Sequence, residues 1–244
     1  MGLPLVCLVT DRRMTGDQRL VDVVTAAAAG GVNLVQLREK DLPARQLLDL
    51  AQRLRGLLEP MGVPLVVNGR ADVAFAARCQ GVHLPGDGLP VAGARAVLGA
   101  DALIGRSIHS ATEAALAENR NADYLILGTV FPSSSHEGGP TLSVEAFRAA
   151  LGQHPRIIGI GGITAQNAAS VIKAGADGVA VISAVLGASD PRAAAQDLYE
   201  VVREAWASRR PSPQPSPAAV GEGDPPSPQP SPRGRGGLAN AAHC

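Results

Sequence analysis

Aromatic side chains are scarce in this sequence. Its 244 residues include three phenylalanines, two tyrosines and one tryptophan, at positions Phe75, Phe131, Phe147, Tyr124, Tyr199 and Trp206. A protein that binds nucleic-acid bases by stacking needs aromatic platforms, so the composition argues against that class. The core must therefore consist of Ala, Val, Leu and Ile, which is typical of buried parallel strands.

Cysteines are few and net charge is absent. Cys7, Cys79 and Cys244 are widely separated and show no CxxC spacing, so neither a disulfide framework nor a zinc site is predicted. We interpret Cys7 and Cys79 as small core residues. The 22 basic and 22 acidic side chains cancel, which leaves no electrostatic case for a nucleic-acid or membrane partner.

Long apolar runs are also missing. The apolar runs of the sequence, such as Ala26 to Ala29 and Val179 to Ile182, end far short of the ~20 residues that a membrane span requires. Met1 to Thr10 has no basic region and leads directly into charged residues, so we interpret it as a first strand rather than a signal peptide. These features predict a cytoplasmic protein.

What the sequence does contain is a regular alternation of β-branched runs and Ala- and Leu-rich helical stretches. The predicted strands are Leu5–Thr10, Leu34–Arg38, Leu65–Asn68, Gly81–Leu84, Leu103–Ser107, Tyr124–Gly128, Ile157–Ile160 and Gly178–Ile182. The predicted helices cover about 19–29, 43–58, 71–78, 90–98, 111–119, 143–151, 165–174 and 191–207. Eight strand–helix pairs predict a single-domain (β/α)8 TIM barrel of the α/β class, in preference to an open doubly wound sheet.

The composition changes near residue 209. The segment PSPQPSP occurs at 211–217 and again at 226–232, in a stretch of Pro, Ser, Gly and Gln that cannot bury a core. We therefore predict a barrel over residues 1–208 and a disordered low-complexity tail over 209–244. No catalytic role is expected for the tail, although a proline-rich partner motif is an alternative.

Most of the unusual polar residues follow the predicted strands, where barrels of this kind build their active sites. Strand alternation sends Gln36, Arg38 and Lys40 to one side, and these types suit the binding of an anion better than an ordinary charged loop. Asn68 and Ser107 lie at the ends of the third and fifth predicted strands, on the same face of the barrel. His83, next to an apolar Leu, is interpreted as a packed core histidine, whereas His109 is left open.

The ends of strands six to eight predict a phosphate site. Thr129 precedes a hydroxyl-rich loop that can donate several hydrogen bonds. Glycines follow strand seven, and Ile182 and Ser183 follow strand eight, the two positions where barrels commonly bind phosphate through backbone N–H groups. The predicted ligand-binding residues here are Thr129, Ser133, Ser134, Ser135, Gly161, Gly162, Ile182 and Ser183.

Seven segments in this order resemble the thiamine phosphate synthase/TenI family over about residues 4–206. They are VQLREKD (35–41), NGRADVA (68–74), GVHL (81–84), GRSIHS (105–110), GTVFPSSSH (128–136), GIGGIT (159–164) and AGADGVAVISA (174–184). The resemblance implies the same barrel and small-molecule phosphate substrates. It also implies that residues 133–135, Gly162, Ile182 and Ser183 bind a thiazole phosphate, and that Gln36, Arg38, Lys40, Asn68 and Ser107 face a pyrimidine diphosphate.

Two reactions are implied by this resemblance. Synthases join hydroxymethylpyrimidine diphosphate to thiazole phosphate with the help of Mg²⁺, whereas TenI-type relatives isomerise a thiazole carboxylate phosphate without a cofactor. Relative to the synthase pattern, this chain has Gly69 and Gly88 in place of two magnesium-binding carboxylates and His136 in place of a lysine. Asp87 is the remaining candidate metal ligand if the chain is a synthase.

The missing carboxylates favour a thiazole tautomerase, with His136 and His109 as candidate acid–base residues because an imidazole titrates near neutrality. Thr129, where tautomerases often have a histidine, and the retained Gln36, Arg38 and Lys40 favour the alternative, a thiamine phosphate synthase. A non-catalytic thiazole-phosphate-binding protein is a third hypothesis. A homo-oligomer is left open.

Overall fold

The computed structural model describes residues 2–116, 119–132, 141–151 and 156–209. In them, eight parallel strands close into a barrel in which each strand pairs with the next and β8 pairs with β1. The strands are β1 (Leu5–Val9), β2 (Leu34–Leu37), β3 (Leu65–Asn68), β4 (Gly81–Leu84), β5 (Leu103–Ile108), β6 (Tyr124–Gly128), β7 (Ile157–Ile160) and β8 (Gly178–Val181). The predicted TIM barrel is confirmed.

Helices surround this sheet. They are α1 (Leu20–Ala29), α2 (Ala44–Leu58), α3 (Ala71–Ala77), α4 (Val91–Leu98), α5 (Ala111–Ala115), α6 (Val144–Leu151), α7 (Ala168–Ala174), α8 (Ser183–Leu186) and α9 (Pro191–Ala207). Short 3-10 turns cover Arg12–Met14, Glu59–Met61 and Asn119–Asn121. Among the described helices, none combines the length and the apolar character needed to cross a membrane.

Strand alternation divides the core into two layers. Residues such as Val6 and Leu8 point outward and pack against the helices, whereas Leu5, Cys7 and Val9 point into the barrel interior. Cys7 is fully buried, and this burial raises the pKa of its thiol to about 12. The predicted packing role of Cys7 is confirmed, while Cys79 is half-buried.

The barrel interior also contains one large aromatic residue. The Tyr124 side chain is fully buried, and a Cβ added at Gly105 would lie 2.1 Å from its ring carbon Cζ. Gly105 therefore provides the space that the Tyr124 ring fills. This pairing brings the phenol hydroxyl next to the floor of the cavity described below. The predicted boundary of the barrel at residue 208 and the predicted tail stay predictions, because residues 210–244 lie outside the described residues.

Candidate active site

A cavity of about 540 Å³ opens at the carboxyl ends of the barrel strands. Every strand contributes to its lining, either directly or through the residues that follow it. The described lining residues are Val9, Gln36, Arg38, Lys40, Asn68, His83, Pro85, Gly86, Asp87, Ser107, Ile108, His109, Glu113, Ile126, Gly128, Thr129, Ile160 and Ile182. Apolar side chains form part of the wall, and polar groups converge from β2 to β5.

The wall contributed by β2 follows the predicted alternation. Gln36, Arg38 and Lys40 all line the cavity, whereas Leu37 packs into the outer core. The Gln36 amide nitrogen donates a hydrogen bond to Asn68 Oδ1 at 3.0 Å. Its carbonyl oxygen Oε1 is buried and accepts no hydrogen bond from the described residues. An acceptor is therefore left available at the cavity floor.

Arg38 is held by its backbone and not by its guanidinium. Its backbone N–H donates to Thr10 Oγ1 at 2.9 Å. Across the described residues, its half-buried guanidinium forms no hydrogen bond or ion pair, whereas Arg12 pairs with Glu39 and Asp41 at 3.0 and 2.7 Å. Arg12 also lowers the pKa of Asp41 to about 2. The flanking acids are thus occupied, which leaves the Arg38 cation directed at the cavity.

His83 lies in the cavity floor and not simply in a packed core. It is 1% exposed, with Nε2 at 2.8 Å from Ser107 Oγ and Nδ1 at 3.3 Å from the Tyr124 hydroxyl. Burial, with a smaller contribution from the Arg38 charge, lowers the pKa of its imidazole to about 3. The ring is therefore neutral near neutral pH, which rules it out as a cation for an anionic ligand.

The β4–α4 loop, which carries Asp87, is fixed by a buried arginine. The Arg106 guanidinium donates to the carbonyl oxygens of Leu89 at 3.0 Å and Gly86 at 2.9 Å. These bonds position Pro85 and Asp87 against the cavity. Sequence reasoning missed Arg106 because its partners are backbone carbonyls, which carry no signal in the sequence.

His109 lies at the rim of the cavity. Its side chain is 65% exposed, with Nδ1 at 3.6 Å from Glu113 Oε2. Glu113 also accepts hydrogen bonds from the His109 backbone N–H at 3.0 Å and from Ser110 Oγ at 3.4 Å. The predicted catalytic role of His109 stays a prediction. The other candidate, His136, lies outside the described residues, as do Ser133, Ser134 and Ser135.

On the opposite wall, the structure places Thr129 and Ile182 in the cavity lining. Gly161 and Gly162 follow the lining residue Ile160, and Ser183 follows Ile182, but these three do not belong to the described lining themselves. Gly161 and Gly162 have φ values of 106° and 58°, a region that L side chains rarely adopt. The Asn167 side-chain amide donates to the Gly162 carbonyl at 2.9 Å, which fixes this turn beside the loop after β6.

The close approach of these two loops yields a stability prediction. A Cβ at Gly162 would lie 2.3 Å from the Pro132 carbonyl oxygen, whereas one at Gly16, with a similar φ of 57°, would meet nothing within 4 Å. We expect Gly16→Ala to cost about 1–2 kcal/mol through its positive φ alone. Gly162→Ala should cost clearly more, because the overlap adds to the strain. Urea unfolding of both variants measures the difference; equal losses would contradict it.

The buried imidazole of His83 yields a second prediction, which concerns how the free energy of unfolding depends on pH. The folded-state pKa of His83 is about 3, against an ordinary 6.5, so below pH 6.5 the unfolded chain binds a proton that the folded chain does not. The His83 contribution is then constant above pH 6.5 and falls on acidification by up to about 1.4 kcal/mol per pH unit. Unfolding free energies of wild type and His83→Gln at pH 5 and 7 should show the weaker acid sensitivity in the variant.

Together, these features define a (β/α)8 barrel with a polar cavity at the carboxyl ends of its strands, which is where barrel enzymes build their active sites. The family model described as thiamine monophosphate synthase matches residues 6–185. The chain belongs to this family, as the sequence motifs had indicated.

Individual relatives agree with this assignment. The chain is 42% identical over 210 residues to a thiamine-phosphate synthase of Roseiflexus sp. (strain RS-1), covering 85% of this chain and 89% of the relative. It is 43% identical over 201 residues to that of Moorella thermoacetica, covering 81% and 95%. Among solved structures, thiamine phosphate pyrophosphorylase from Pyrococcus furiosus has a TM-score of 0.75 and 35% identity, covering 83% and 96%.

Proposed function

We propose that this chain is a thiamine phosphate synthase, which joins hydroxymethylpyrimidine diphosphate to thiazole phosphate. The observation that carries the proposal is the pair of cations, Arg38 and Lys40, on a wall of the cavity. A diphosphate leaving group needs its charge balanced by such groups. The names of the relatives support a synthase better than the thiazole tautomerase that the missing carboxylates had favoured.

In this reaction the C–O bond between the pyrimidine methylene carbon and the diphosphate breaks, and a C–N bond to the thiazole ring nitrogen forms. The diphosphate leaves with the electron pair of the broken bond. Arg38 can contact two phosphate oxygens through its planar guanidinium, and Lys40 supplies a second positive charge. Gln36, Asn68 and Ser107 lie deeper and can bind polar atoms of the pyrimidine. The turn after β7 and the start of α8 are proposed to bind the thiazole phosphate.

The described residues fit a magnesium ion held mainly by the substrate. Magnesium is commonly bound by one or two carboxylates together with phosphate oxygens and water. Asp87 can supply one carboxylate from the cavity wall. The Glu113 carboxylate already accepts hydrogen bonds from the His109 backbone N–H and from Ser110 Oγ. The described residues contain no group of three or more His, Cys, Asp or Glu that could hold a metal ion. A bound ion would neutralise diphosphate charge.

Tautomerisation remains a second candidate because the His109 imidazole lines the cavity rim. An exposed imidazole could remove a proton from a thiazole carboxylate phosphate and return it at another atom. This function predicts that His109→Ala slows isomerisation while thiazole phosphate still binds. Unchanged isomerisation in that variant would leave His109 without a catalytic role.

The deciding experiment incubates the purified chain with both substrates over a range of Mg²⁺ concentrations. Thiamine phosphate is measured by its fluorescence after oxidation. Magnesium-dependent formation of product supports the synthase. No product at any magnesium concentration, with thiazole phosphate still bound in calorimetry, would overturn the synthase in favour of tautomerisation or of binding alone.

A further inference from the structure

Three polar groups, of which two are buried and one is half-buried, form a chain of hydrogen bonds that ends in the cavity. The Tyr124 hydroxyl lies 3.3 Å from His83 Nδ1, and His83 Nε2 lies 2.8 Å from Ser107 Oγ. The two rings are 5.7 Å apart between centroids and tilted by 32°. Ser107 and His83 both line the cavity, whereas Tyr124 is fully buried behind them. The direction of these hydrogen bonds decides what Ser107 can offer to a ligand.

The Tyr124 hydroxyl fixes the direction at the buried end. Burial raises the pKa of the phenol, so the hydroxyl keeps its proton and is a donor that needs an acceptor. Within the described residues, its hydrogen-bonding partner is His83 Nδ1. The reverse direction, from a protonated Nδ1 to the phenol oxygen, would leave the buried O–H without an acceptor. We therefore assign Tyr124 as the donor and Nδ1 as the acceptor.

This assignment places the single imidazole proton on Nε2. A neutral imidazole has one protonated nitrogen, and Nδ1 is occupied as an acceptor. Nε2–H then donates to Ser107 Oγ across the 2.8 Å contact. Since Nε2 has no free lone pair in this tautomer, the Ser107 hydroxyl cannot donate back to it. Its own proton is left for a group in the cavity.

We propose that His83 is a positioning residue which, together with Tyr124, makes Ser107 a hydrogen-bond donor to the ligand. This inference rests on the proposed function. It predicts that the Ser107 hydroxyl donates a hydrogen bond to an unprotonated ring nitrogen of the pyrimidine. Gln36 Oε1 lies at the same cavity floor. It is a buried hydrogen-bond acceptor without a partner among the described residues. A donor and an acceptor at fixed positions match an aminopyrimidine, which has a ring nitrogen beside an amino group.

The first test determines the tautomer of His83 directly and does not depend on enzyme activity. ¹⁵N-histidine NMR of the full chain, which has five histidines, identifies His83 by the signal lost in His83→Gln. We expect a protonated Nε2 and an unprotonated Nδ1, unchanged between pH 5 and 8. A proton on Nδ1, or a doubly protonated ring in this range, would overturn the proposal.

The second test removes the hydroxyl that selects the tautomer. Tyr124→Phe keeps the ring that fills the space above Gly105, and the other tyrosine, Tyr199, provides Tyr199→Phe as the control. We expect Tyr124→Phe to move part of the His83 signal to the Nδ1-protonated form and to lower kcat/KM about tenfold. Thermal melting should show that both variants are folded. An unchanged tautomer and unchanged turnover in Tyr124→Phe would contradict the proposal.

Two variants of His83 separate positioning from packing. The amide nitrogen of His83→Gln can still donate to Ser107, whereas His83→Leu fills similar space without a donor. We expect the glutamine variant to retain clearly more condensation activity than the leucine variant. If the chain makes no thiamine phosphate, the same ranking is expected for hydroxymethylpyrimidine affinity in calorimetry, so failure of the proposed function is distinguishable. Equal losses in both variants would assign His83 a packing role only.

Discussion

Arg38→Ala is expected to lower kcat/KM for condensation by roughly 10- to 150-fold. The half-buried guanidinium has no ion-pair partner among the described residues, and its backbone is fixed by Thr10. Hydrogen bonds to charged groups contribute about 1.5–3 kcal/mol, which corresponds to that range. Removing the side chain leaves the diphosphate facing Lys40 alone. Steady-state kinetics with the diphosphate substrate varied measures the loss.

Two further arginine variants make this result specific. Arg38→Lys keeps the charge but loses the planar pair of donors, so an intermediate activity is expected. Arg203→Ala removes an exposed arginine from α9 and should leave the kinetics unchanged. If Arg38→Ala and Arg203→Ala behaved alike, Arg38 would have no part in diphosphate binding. Unfolding midpoints should confirm that the three proteins are equally folded.

The alternation of the sequence was sufficient to predict the barrel, since every predicted strand was found within two residues of its position. Helix ends were less accurate. The helix predicted over 111–119 ends at Ala115, because Leu116 adopts an extended ψ of 135°. The helix predicted over 165–174 begins at Ala168, after Asn167 accepts a hydrogen bond from the Thr164 N–H. The four-residue helix α8 was not predicted, because so short a segment has no periodicity to detect.

Side-chain parity also located much of the site. Gln36, Arg38 and Lys40 were assigned to one wall because they alternate with Leu37 and Glu39, and the structure places all three in the cavity lining. The partners of His83 could not be predicted in this way. Ser107 and Tyr124 lie 24 and 41 residues away in sequence, and only the closing of the barrel brings their side chains together. From the sequence alone, a single histidine on an apolar strand is therefore interpreted as a residue that packs in the core.

The glycines that replace the expected metal-binding carboxylates also differ in their surroundings from open loop positions. A Cβ at Gly88 would lie 2.9 Å from Pro85 Cδ and 3.1 Å from Pro85 Cγ, and one at Gly69 would lie 3.6 Å from the same Cδ. The Pro85 ring thus crowds a side chain at position 88, whereas at position 69 the contact is an ordinary one and the positive φ of 68° is what disfavours a side chain. Pro85 and Gly88 are therefore physically linked positions of the β4–α4 loop.

This contact predicts that a carboxylate at position 88 is accommodated better when the proline ring is removed. Pro85→Gly/Gly88→Asp places a carboxylate beside Asp87 on a loop that Arg106 already holds. We expect the Mg²⁺ concentration for half-maximal diphosphate binding to fall roughly tenfold. This corresponds to a gain of about 1.4 kcal/mol in the free energy of magnesium binding. Titration calorimetry with inorganic diphosphate measures it without any turnover.

Single variants decide whether Pro85 is the obstacle. Pro85→Gly alone adds no carboxylate and should leave the magnesium requirement close to that of wild type. Gly88→Asp alone must displace the proline ring, so we expect a loss of stability with little gain in metal affinity. Asp87→Asn should raise the half-maximal concentration, because it removes the carboxylate available in the wild-type wall. A double variant no better than Pro85→Gly would contradict the prediction, because a carboxylate at position 88 would then add nothing to magnesium binding.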